Sequence, residues 1–328
     1  MLKLTKKDIK GVYSMPPTPS TDNGDRWDAT NSVDHNRATS LVDKLINSGV
    51  GGLALCGTTG ECAALLWEEK RDFIATAVKT AKKRVPIFAG ATALGTKEII
   101  RQMRGLKDVG ADGAFIGLPL WQTPTIPNST DFFKDLSEAV PDMPIMVYSN
   151  RSFFKSVFPV EFWEGVAKKA PTVLTNKIAY GIDHFVDDLR VAGNQINFIP
   201  GSLSSIEMNK RSPGSVTALW TTSPWPEPWV ALIEAIQKKD EKRVSEVEAD
   251  LRSVPGHSTP EVRDKYDFAK YNAQVERHNW NSSGYQECGP NRPPYRDIAE
   301  EWRAHIWNPE RHKKWAEMRK KYLKVAVK

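Results

Sequence analysis

Short apolar segments alternate with helical patterns along most of the chain, and this alternation restricts the fold more than any other sequence feature. The intervening segments, such as 67–85 and 97–110, place apolar residues at the spacing of an amphipathic helix. Strands that are buried on both faces read as continuous apolar runs, as these segments do. Eight apolar segments, most of them followed by a helical pattern, therefore predict a (β/α)8 TIM barrel. The predicted strands are 11–17, 51–57, 86–92, 113–119, 144–150, 173–179, 196–202 and 215–221.

A doubly wound parallel sheet is the structural alternative, but no G-x-G-x-x-G turn follows any of these segments. The eighth helical pattern ends near residue 240. Further helical patterns occur at 241–252, 260–280 and 298–325, with a loop containing Pro and Gly at 282–296. We therefore expect a barrel domain of residues 1–240 and a C-terminal helical extension of residues 241–328 that packs on the barrel.

Cysteine spacing and hydropathy bear on the compartment and on membrane association. The three cysteines show no paired spacing, and no apolar signal segment follows the first ten residues. No apolar run approaches the roughly 20 residues that a membrane-spanning helix needs. These features predict a reduced, cytoplasmic protein without a membrane partner.

The basic charge is concentrated at the C-terminus. The chain carries a net charge of +6, whereas residues 311–328 alone carry +7, so that the remainder is close to neutral. This distribution argues against a nucleic-acid partner. We interpret the tail as a helix whose polar face is solvated and whose Trp315, Met318 and Tyr322 pack against the barrel; docking of an acidic partner is the alternative.

The carboxyl ends of barrel strands form the active face of this fold, so the polar residues there are the candidates for chemistry. The turn GTTGE after the second strand lacks the lysine and the spacing of a phosphate-binding loop. Its Thr58 and Thr59 can still present hydroxyl and backbone N–H groups to a carboxylate, although a plain strand-to-helix turn would look the same.

Metal chemistry is not expected from the histidines. None of them lies at a predicted strand end or in a pair with the spacing of metal ligands. The six histidines are His35, His184, His257, His278, His305 and His312.

Lys177 is the most informative candidate, because it lies in an otherwise apolar strand, VLTNKIA. Burial lowers the pKa of an amine, and the neutral amine is a nucleophile for carbonyl groups. A lysine that reaches solvent or pairs with an acid is the alternative. Tyr148 near the end of the preceding strand favours the catalytic interpretation, because its phenol could move protons beside the amine.

These residues resemble a known pattern. GTTGE after strand 2, Tyr148 on strand 5 and Lys177 on strand 6 resemble the N-acetylneuraminate lyase and dihydrodipicolinate synthase superfamily of Schiff-base pyruvate enzymes. Within it, the chain looks most like the trans-o-hydroxybenzylidenepyruvate hydratase-aldolases. The segments that carry this closer likeness are MPPTPST, GTTGECAALLWEEKRD, LPLWQTP, YSN, FAKYN and GPNRPPY.

The resemblance implies roles for particular residues. Lys177 would form the imine with a 2-keto acid, Tyr148 would shuttle protons, and Thr58 and Thr59 would hold the substrate carboxylate. Three further residues would line the pocket for the aromatic end and for the added water, namely Trp121, Asn150 and Asn272.

The resemblance also implies a reaction. The enzyme would hydrate an aryl-substituted 2-oxobut-3-enoate and cleave it to an aromatic aldehyde and pyruvate, in aromatic hydrocarbon degradation. It would need no metal or organic cofactor, and it would be a homotetramer.

The chain departs from the synthase pattern in ways that bear on the substrate. Trp121 stands where the synthases usually carry a tyrosine, and a flat, bulky side chain suits an aryl group. The end of strand 7, at 200–205, lacks the expected acidic residues, and the loop 221–229 is unusually rich in Trp and Pro.

Two alternatives remain open at the level of sequence. One is another aldolase, dehydratase or synthase of this superfamily that acts on a sugar-derived 2-keto acid, for which only Ser202, Ser204 and Ser205 suggest a polyol pocket. The other is a non-catalytic barrel with a basic docking tail.

Overall fold

The structure, a computed structural model, describes residues 1–179, 181, 183–256 and 259–323. His257 and the end of the basic tail, residues 324–328, lie outside the described residues. No helix in the described ranges is long and apolar enough to cross a membrane.

Eight parallel strands form one sheet in the order β7-β6-β5-β4-β3-β2-β1-β8. A bridge between Gly201 and Trp220 links the ends of β7 and β8, so the sheet nearly closes on itself. The predicted TIM barrel is therefore confirmed, and each strand falls within its predicted segment. The strands are β1 (Gly11–Ser14), β2 (Gly52–Leu55), β3 (Ile87–Gly90), β4 (Gly113–Ile116), β5 (Ile145–Ser149), β6 (Val173–Ile178), β7 (Asn197–Ile199) and β8 (Ala218–Thr221).

Helices on the outside of the sheet follow each strand. Their first turns carry the expected signals: the Asp34 side chain accepts from two backbone N–H groups at the start of α1, and the Thr125 side chain accepts from the Asn128 N–H in α4. These helices are α1 (His35–Asn47), α2 (Trp67–Ala81), α3 (Thr96–Asp108), α4 (Ile126–Ala139), α5 (Arg151–Phe154), α6 (Val160–Lys169), α7 (Phe185–Ala192), α8 (Ser204–Arg211) and α9 (Glu227–Gln237).

The C-terminal region is more divided than the sequence predicts. The helical patterns at 260–280 and 298–325 are each broken into two helices. Asp267 caps the second helix of the first pair, and Asn308 caps the second helix of the other pair, followed by Pro309. Caps and an initial proline begin a new helix because they satisfy or remove unpaired N–H groups. The helices are α10 (Glu241–Ser253), α11 (Pro260–Lys265), α12 (Phe268–Ser282), α13 (Glu300–Ile306) and α14 (Pro309–Tyr322).

The described part of the basic tail forms α14, which packs against the barrel. Trp315, Met318 and Tyr322 are buried in the main hydrophobic core, as predicted. The rings of Trp315 and Trp225 stack with centroids 4.9 Å apart. The lysines between these contacts face solvent, so this helix has the amphipathic character that the sequence indicates.

A buried ionic cluster fastens the C-terminal region to the barrel mouth. Glu61, the last residue of the GTTGE turn after β2, binds the guanidinium groups of Arg277 on α12 and Arg292, and all three side chains are at most 2% exposed. The Arg292 backbone N–H also donates to Glu61 Oε1, at 2.8 Å. Burial tends to raise the pKa of Glu61, but the charges of Arg277 and Arg292 outweigh burial and hold the pKa below its usual value.

Candidate active site

Lys177 and Tyr148 face each other at the carboxyl ends of β6 and β5, where the strand register pairs them directly. Lys177 Nζ lies 3.9 Å from the centroid of the Tyr148 ring and 4.0 Å from that of the Trp220 ring, which comes from β8. The lysine is only 5% exposed. The amine is therefore held between two aromatic faces in the mouth of the barrel.

Burial has the largest effect on this amine, and it lowers the pKa of Lys177 by disfavouring the charged form. Tyr148 and, more weakly, Glu276 oppose this shift by favouring the ammonium ion. A lowered pKa increases the fraction of neutral amine near neutral pH. The amine can thus act as a nucleophile towards a carbonyl carbon.

The Tyr148 hydroxyl is surrounded by polar groups from two other positions at the mouth. Thr58 Oγ1 lies 3.4 Å from it, and Asn150 Nδ2 donates to it at 3.3 Å. The ring itself is fixed by stacking on Phe115, with centroids 4.9 Å apart, and by an edge contact with Phe154. The phenol thus has a defined orientation and partners with which it can exchange a proton.

The turn after β2 is tight, and its glycines allow this. A side chain at Gly60 would place its Cβ 2.8 Å from the Cα of Cys56, closer than such atoms approach in proteins. Among the described residues, the backbone N–H groups of Thr58 and Thr59 find no hydrogen-bond acceptor. Backbone N–H groups without acceptors in a tight turn can bind a small anion such as a carboxylate.

Two cavities at the barrel mouth share lining residues. A narrow cavity is lined by Lys177, Thr58, Thr59 and Tyr148, among others. Thr58 and Tyr148 also line a wider cavity of about 720 Å³, to which α12 contributes Asn272. The other contributors to the wider cavity are largely apolar and include Leu65, Phe115, Leu120, Phe153 and Phe154.

Six of the seven residues predicted for the site lie at the barrel mouth. Trp121 is the seventh, and the structure does not bring it to either cavity: its side chain is 88% exposed, whereas the preceding Leu120 lines the wider cavity. A role for Trp121 against the aryl group stays a prediction.

The sequence analysis did not identify two residues that act on Lys177: Trp220, which contacts its amine, and Glu276, whose charge favours the ammonium ion. Trp220 could have been found from its position at the end of the eighth strand, next to the predicted active face. The sequence could not have identified Glu276, because a glutamate in a helical pattern is expected at the surface. In the structure it is buried on α12, and the Thr222 hydroxyl donates to its Oε1 at 2.9 Å.

The structure also bears on the metal and polyol alternatives. In the ranges that it describes, no group of three or more His, Cys, Asp or Glu side chains is arranged to hold a metal ion. Of the serines near β7, Ser205 is fully buried and its hydroxyl donates to the Ser202 backbone oxygen at 2.6 Å. That hydroxyl is therefore engaged by the backbone.

Comparison with known proteins gives matches along nearly the whole chain. The sequence model of the dihydrodipicolinate synthetase family matches residues 24–203. A trans-o-hydroxybenzylidenepyruvate hydratase-aldolase of Pseudomonas putida is 36% identical over 98% of this chain and 97% of its own. A trans-2'-carboxybenzalpyruvate hydratase-aldolase of Nocardioides sp. is 29% identical over 98% of this chain and 97% of its own.

The solved structure of PhdJ bound to a substrate intermediate superimposes with a TM-score of 0.91 at 32% identity. The match covers 98% of this chain and all of PhdJ. A dihydrodipicolinate synthase from Aquifex aeolicus, 23% identical, matches with a TM-score of 0.75 and supports the fold alone.

Proposed function

This chain belongs to the dihydrodipicolinate synthetase family and, within it, to the hydratase-aldolases; from that premise we propose that it hydrates an aryl-substituted 2-oxobut-3-enoate and cleaves it to an aromatic aldehyde and pyruvate. The reaction would proceed through a Schiff base on Lys177 and would place the enzyme among the carbon–carbon lyases of aromatic hydrocarbon degradation. The observation that carries the proposal is the buried amine of Lys177 beside Tyr148, next to a largely apolar cavity.

The first step forms the imine. The neutral Lys177 amine attacks C2 of the keto acid, and loss of water leaves a protonated imine. The carboxylate at C1 binds the turn at Thr58 and Thr59, whose backbone N–H groups have no acceptor within the described part of the chain. This contact directs C2 towards Nζ and C4 towards the wider cavity.

The second step adds water. The protonated imine withdraws electrons through the conjugated chain, so that C4 becomes electrophilic and takes up the oxygen of a water molecule, which gives up one proton. The C3–C4 double bond thereby becomes an enamine between C2 and C3, and protonation at C3 restores the protonated imine. Asn150, whose amide already donates to Tyr148, and Asn272 in the cavity wall are the side chains that we assign to this water and to the resulting hydroxyl.

The third step cleaves the C3–C4 bond. Tyr148, or a water that it orders, accepts the proton of the C4 hydroxyl, and the bonding electrons move into the imine to give an enamine. The aldehyde leaves through the apolar cavity. Protonation of the enamine at C3 and hydrolysis of the imine release pyruvate and restore the Lys177 amine, so no metal or organic cofactor is consumed.

A substrate panel tests the proposal. We expect ultraviolet detection to show aldehyde release from benzylidenepyruvates with the wild-type protein and none with Lys177→Ala. Pyruvate release from keto-deoxy sugar acids, without aldehyde release from any benzylidenepyruvate, would instead support the sugar-acid alternative. Failure of pyruvate and borohydride to trap an adduct, under conditions in which a known relative reacts, would favour a non-catalytic barrel.

The proposed function leads to two further expectations, one on the oligomeric state and one on the cellular compartment. We propose a homotetramer of cytoplasmic subunits with reduced cysteines. The three thiols are unpaired in the structure, and those of Cys56 and Cys288 are buried. Sedimentation equilibrium of the purified protein tests the oligomeric state, since a monomer or dimer would contradict it.

A further inference from the structure

Lys70 has no part in the steps above, although it lines the cavity that receives the aryl group. This lysine lies on α2 and is 3% exposed. The wider cavity extends from Thr58 and Tyr148 at the barrel mouth to α2 and α3, which contribute Lys70 and Gln102 to its wall. A buried ammonium group is costly beside a largely apolar wall unless an anion or hydrogen-bond acceptors compensate it.

The protein compensates this ammonium group only in part. Lys70 Nζ donates a hydrogen bond to Gln102 Oε1 at 3.0 Å, and an amide oxygen carries no net charge. Within the ranges that the structure describes, no other acceptor pairs with Nζ and no carboxylate oxygen lies within 4.0 Å of it. An ammonium group has three N–H donors, so two of them find no acceptor in this part of the chain.

The two acidic residues that line the wider cavity are engaged by arginines. Gln102 Nε2 donates to Glu98 Oε1 at 2.9 Å, so Gln102 stands between the Lys70 ammonium group and this carboxylate. Both oxygens of Glu98 accept from the Arg101 guanidinium, at 2.6 and 2.8 Å. Glu61 is bound by the two arginines of the buried ionic cluster. Neither carboxylate therefore serves as a direct partner of Lys70.

A ligand in the wider cavity can supply the missing acceptor. The cavity volume of about 720 Å³ lies within the range of about 300–1,000 Å³ that is usual for small-molecule sites. In the proposed reaction the aryl group enters this cavity, while the keto acid carboxylate is held at the turn after β2. An anionic oxygen on the ring would accept the N–H donors of Lys70, and such charge-assisted hydrogen bonds are stronger than neutral ones.

We propose that Lys70 is a specificity-determining residue that binds an anionic oxygen carried by the aryl ring of the substrate, as in a ring carboxylate. Gln102 orients the ammonium group through its hydrogen bond. The enzyme thus prefers aryl keto acids with an acidic ring substituent over those with a neutral one. This role rests on the proposed function and narrows its substrate class.

Selectivity between two substrate series tests this role. One series consists of benzylidenepyruvates with a carboxylate at the ortho, meta or para position of the ring, and the other carries a carboxamide, which is neutral and similar in size, at the same positions. Lys70→Met keeps the length of the side chain but removes its charge. The matched control is Lys79→Met, at an exposed lysine on the same helix. Aldehyde release gives kcat and KM for each substrate.

We expect the wild type and Lys79→Met to prefer the carboxylate over the carboxamide by about 10- to 100-fold in kcat/KM, at one ring position at least. Lys70→Met should lose this preference. The loss should appear mainly in KM, because the ring substituent does not change during the reaction and its contact with Lys70 stabilises the ground state and the transition state alike.

Equal kcat/KM values of the wild type for the two series would overturn the inference, and this comparison stands even if Lys70→Met does not fold. A Lys70→Met protein that keeps the wild-type preference, with or without a lower activity towards both series, would also overturn it, because that pattern indicates a structural role. A wild-type protein that cleaves no benzylidenepyruvate would overturn the proposed function itself, whereas cleavage of both series without preference overturns only the role of Lys70.

Discussion

At the scale of the residue, the chemistry depends on an amine and a phenol that different strands bring together. Lys177 is nearly buried between two aromatic rings, and the Tyr148 hydroxyl contacts Thr58 and Asn150. The amine and the phenol contribute differently: the amine forms the covalent bond, whereas the phenol moves protons in later steps. Replacing each one alone should therefore affect different measurements.

Tyr148→Phe should preserve the imine and slow the turnover. The substitution keeps the ring that stacks on Phe115 but removes the hydroxyl, and loss of a general base costs about 10²- to 10⁴-fold in rate. Borohydride trapping with pyruvate and steady-state aldehyde release measure the two effects separately. Tyr13→Phe, at a buried tyrosine on β1 beside Phe88, is the control. A Tyr148→Phe protein with normal kcat would contradict the assigned role.

At the scale of the element, the site depends on how the C-terminal helices are fixed to the barrel. Helix α12 supplies Asn272 to the wider cavity, and the Glu61 carboxylate holds this helix through Arg277 and the following loop through Arg292. Glu61 is part of the GTTGE turn, so one short segment both binds substrate in the proposed mechanism and anchors the extension.

Glu61→Gln should destabilise the fold by about 3–5 kcal/mol, because removing one partner leaves two guanidinium groups buried without their counter-charge. The pKa of this carboxyl is lowered in the folded state. The stabilisation that the Glu61 carboxylate gives the folded state is therefore present above the unfolded pKa of about 4.3. It is lost as the pH falls towards the pKa of Glu61 in the folded state. Urea unfolding between about pH 3 and pH 7 measures this dependence.

The control for that measurement is Glu207→Gln, at an exposed glutamate on α8 whose partner is Arg211. We expect a change within about 0.5 kcal/mol for this surface pair. Equal stabilities of Glu61→Gln and the wild type near neutral pH would show that the buried cluster does not anchor the extension.

The sequence predicts the strands of the barrel more completely than it predicts the C-terminal helices and the buried side chains of the site. All eight strands were predictable because burial on both faces leaves a continuous apolar run. The breaks near Asp267 and Asn308 were missed, since apolar periodicity continues across them and only the caps mark the new helices. Lys177 stood out as a charge in an apolar strand, whereas Glu276 did not, because only the tertiary fold buries it.

At the scale of the whole molecule, the buried carboxyl of Glu276 makes stability depend on pH in the opposite sense to Glu61. Its pKa is raised to about 7 in the folded protein, mainly by burial. The unfolded value is about 4.3, so the protonated form is favoured by folding. The stabilisation that the protonated Glu276 side chain gives the folded state is fully present below the unfolded pKa. It is lost as the pH rises through the folded pKa.

Glu276→Gln should therefore raise the midpoint of thermal unfolding relative to the wild type at about pH 8, where the wild type must bury a carboxylate, and much less at about pH 5. Differential scanning calorimetry of the protein without ligand, at both values, measures the difference. A variant that is destabilised equally at both values would show that the carboxylate is well compensated in the free protein.

The central claim is that an aryl keto acid is cleaved through an imine on Lys177, and mass spectrometry of the borohydride-reduced protein tests it most directly. After incubation with a benzylidenepyruvate and borohydride, we expect a covalent adduct on the peptide that contains Lys177, together with loss of aldehyde release in the trapped protein. Aldehyde release that continues without an adduct, or an adduct confined to another lysine such as Lys70, would contradict the account.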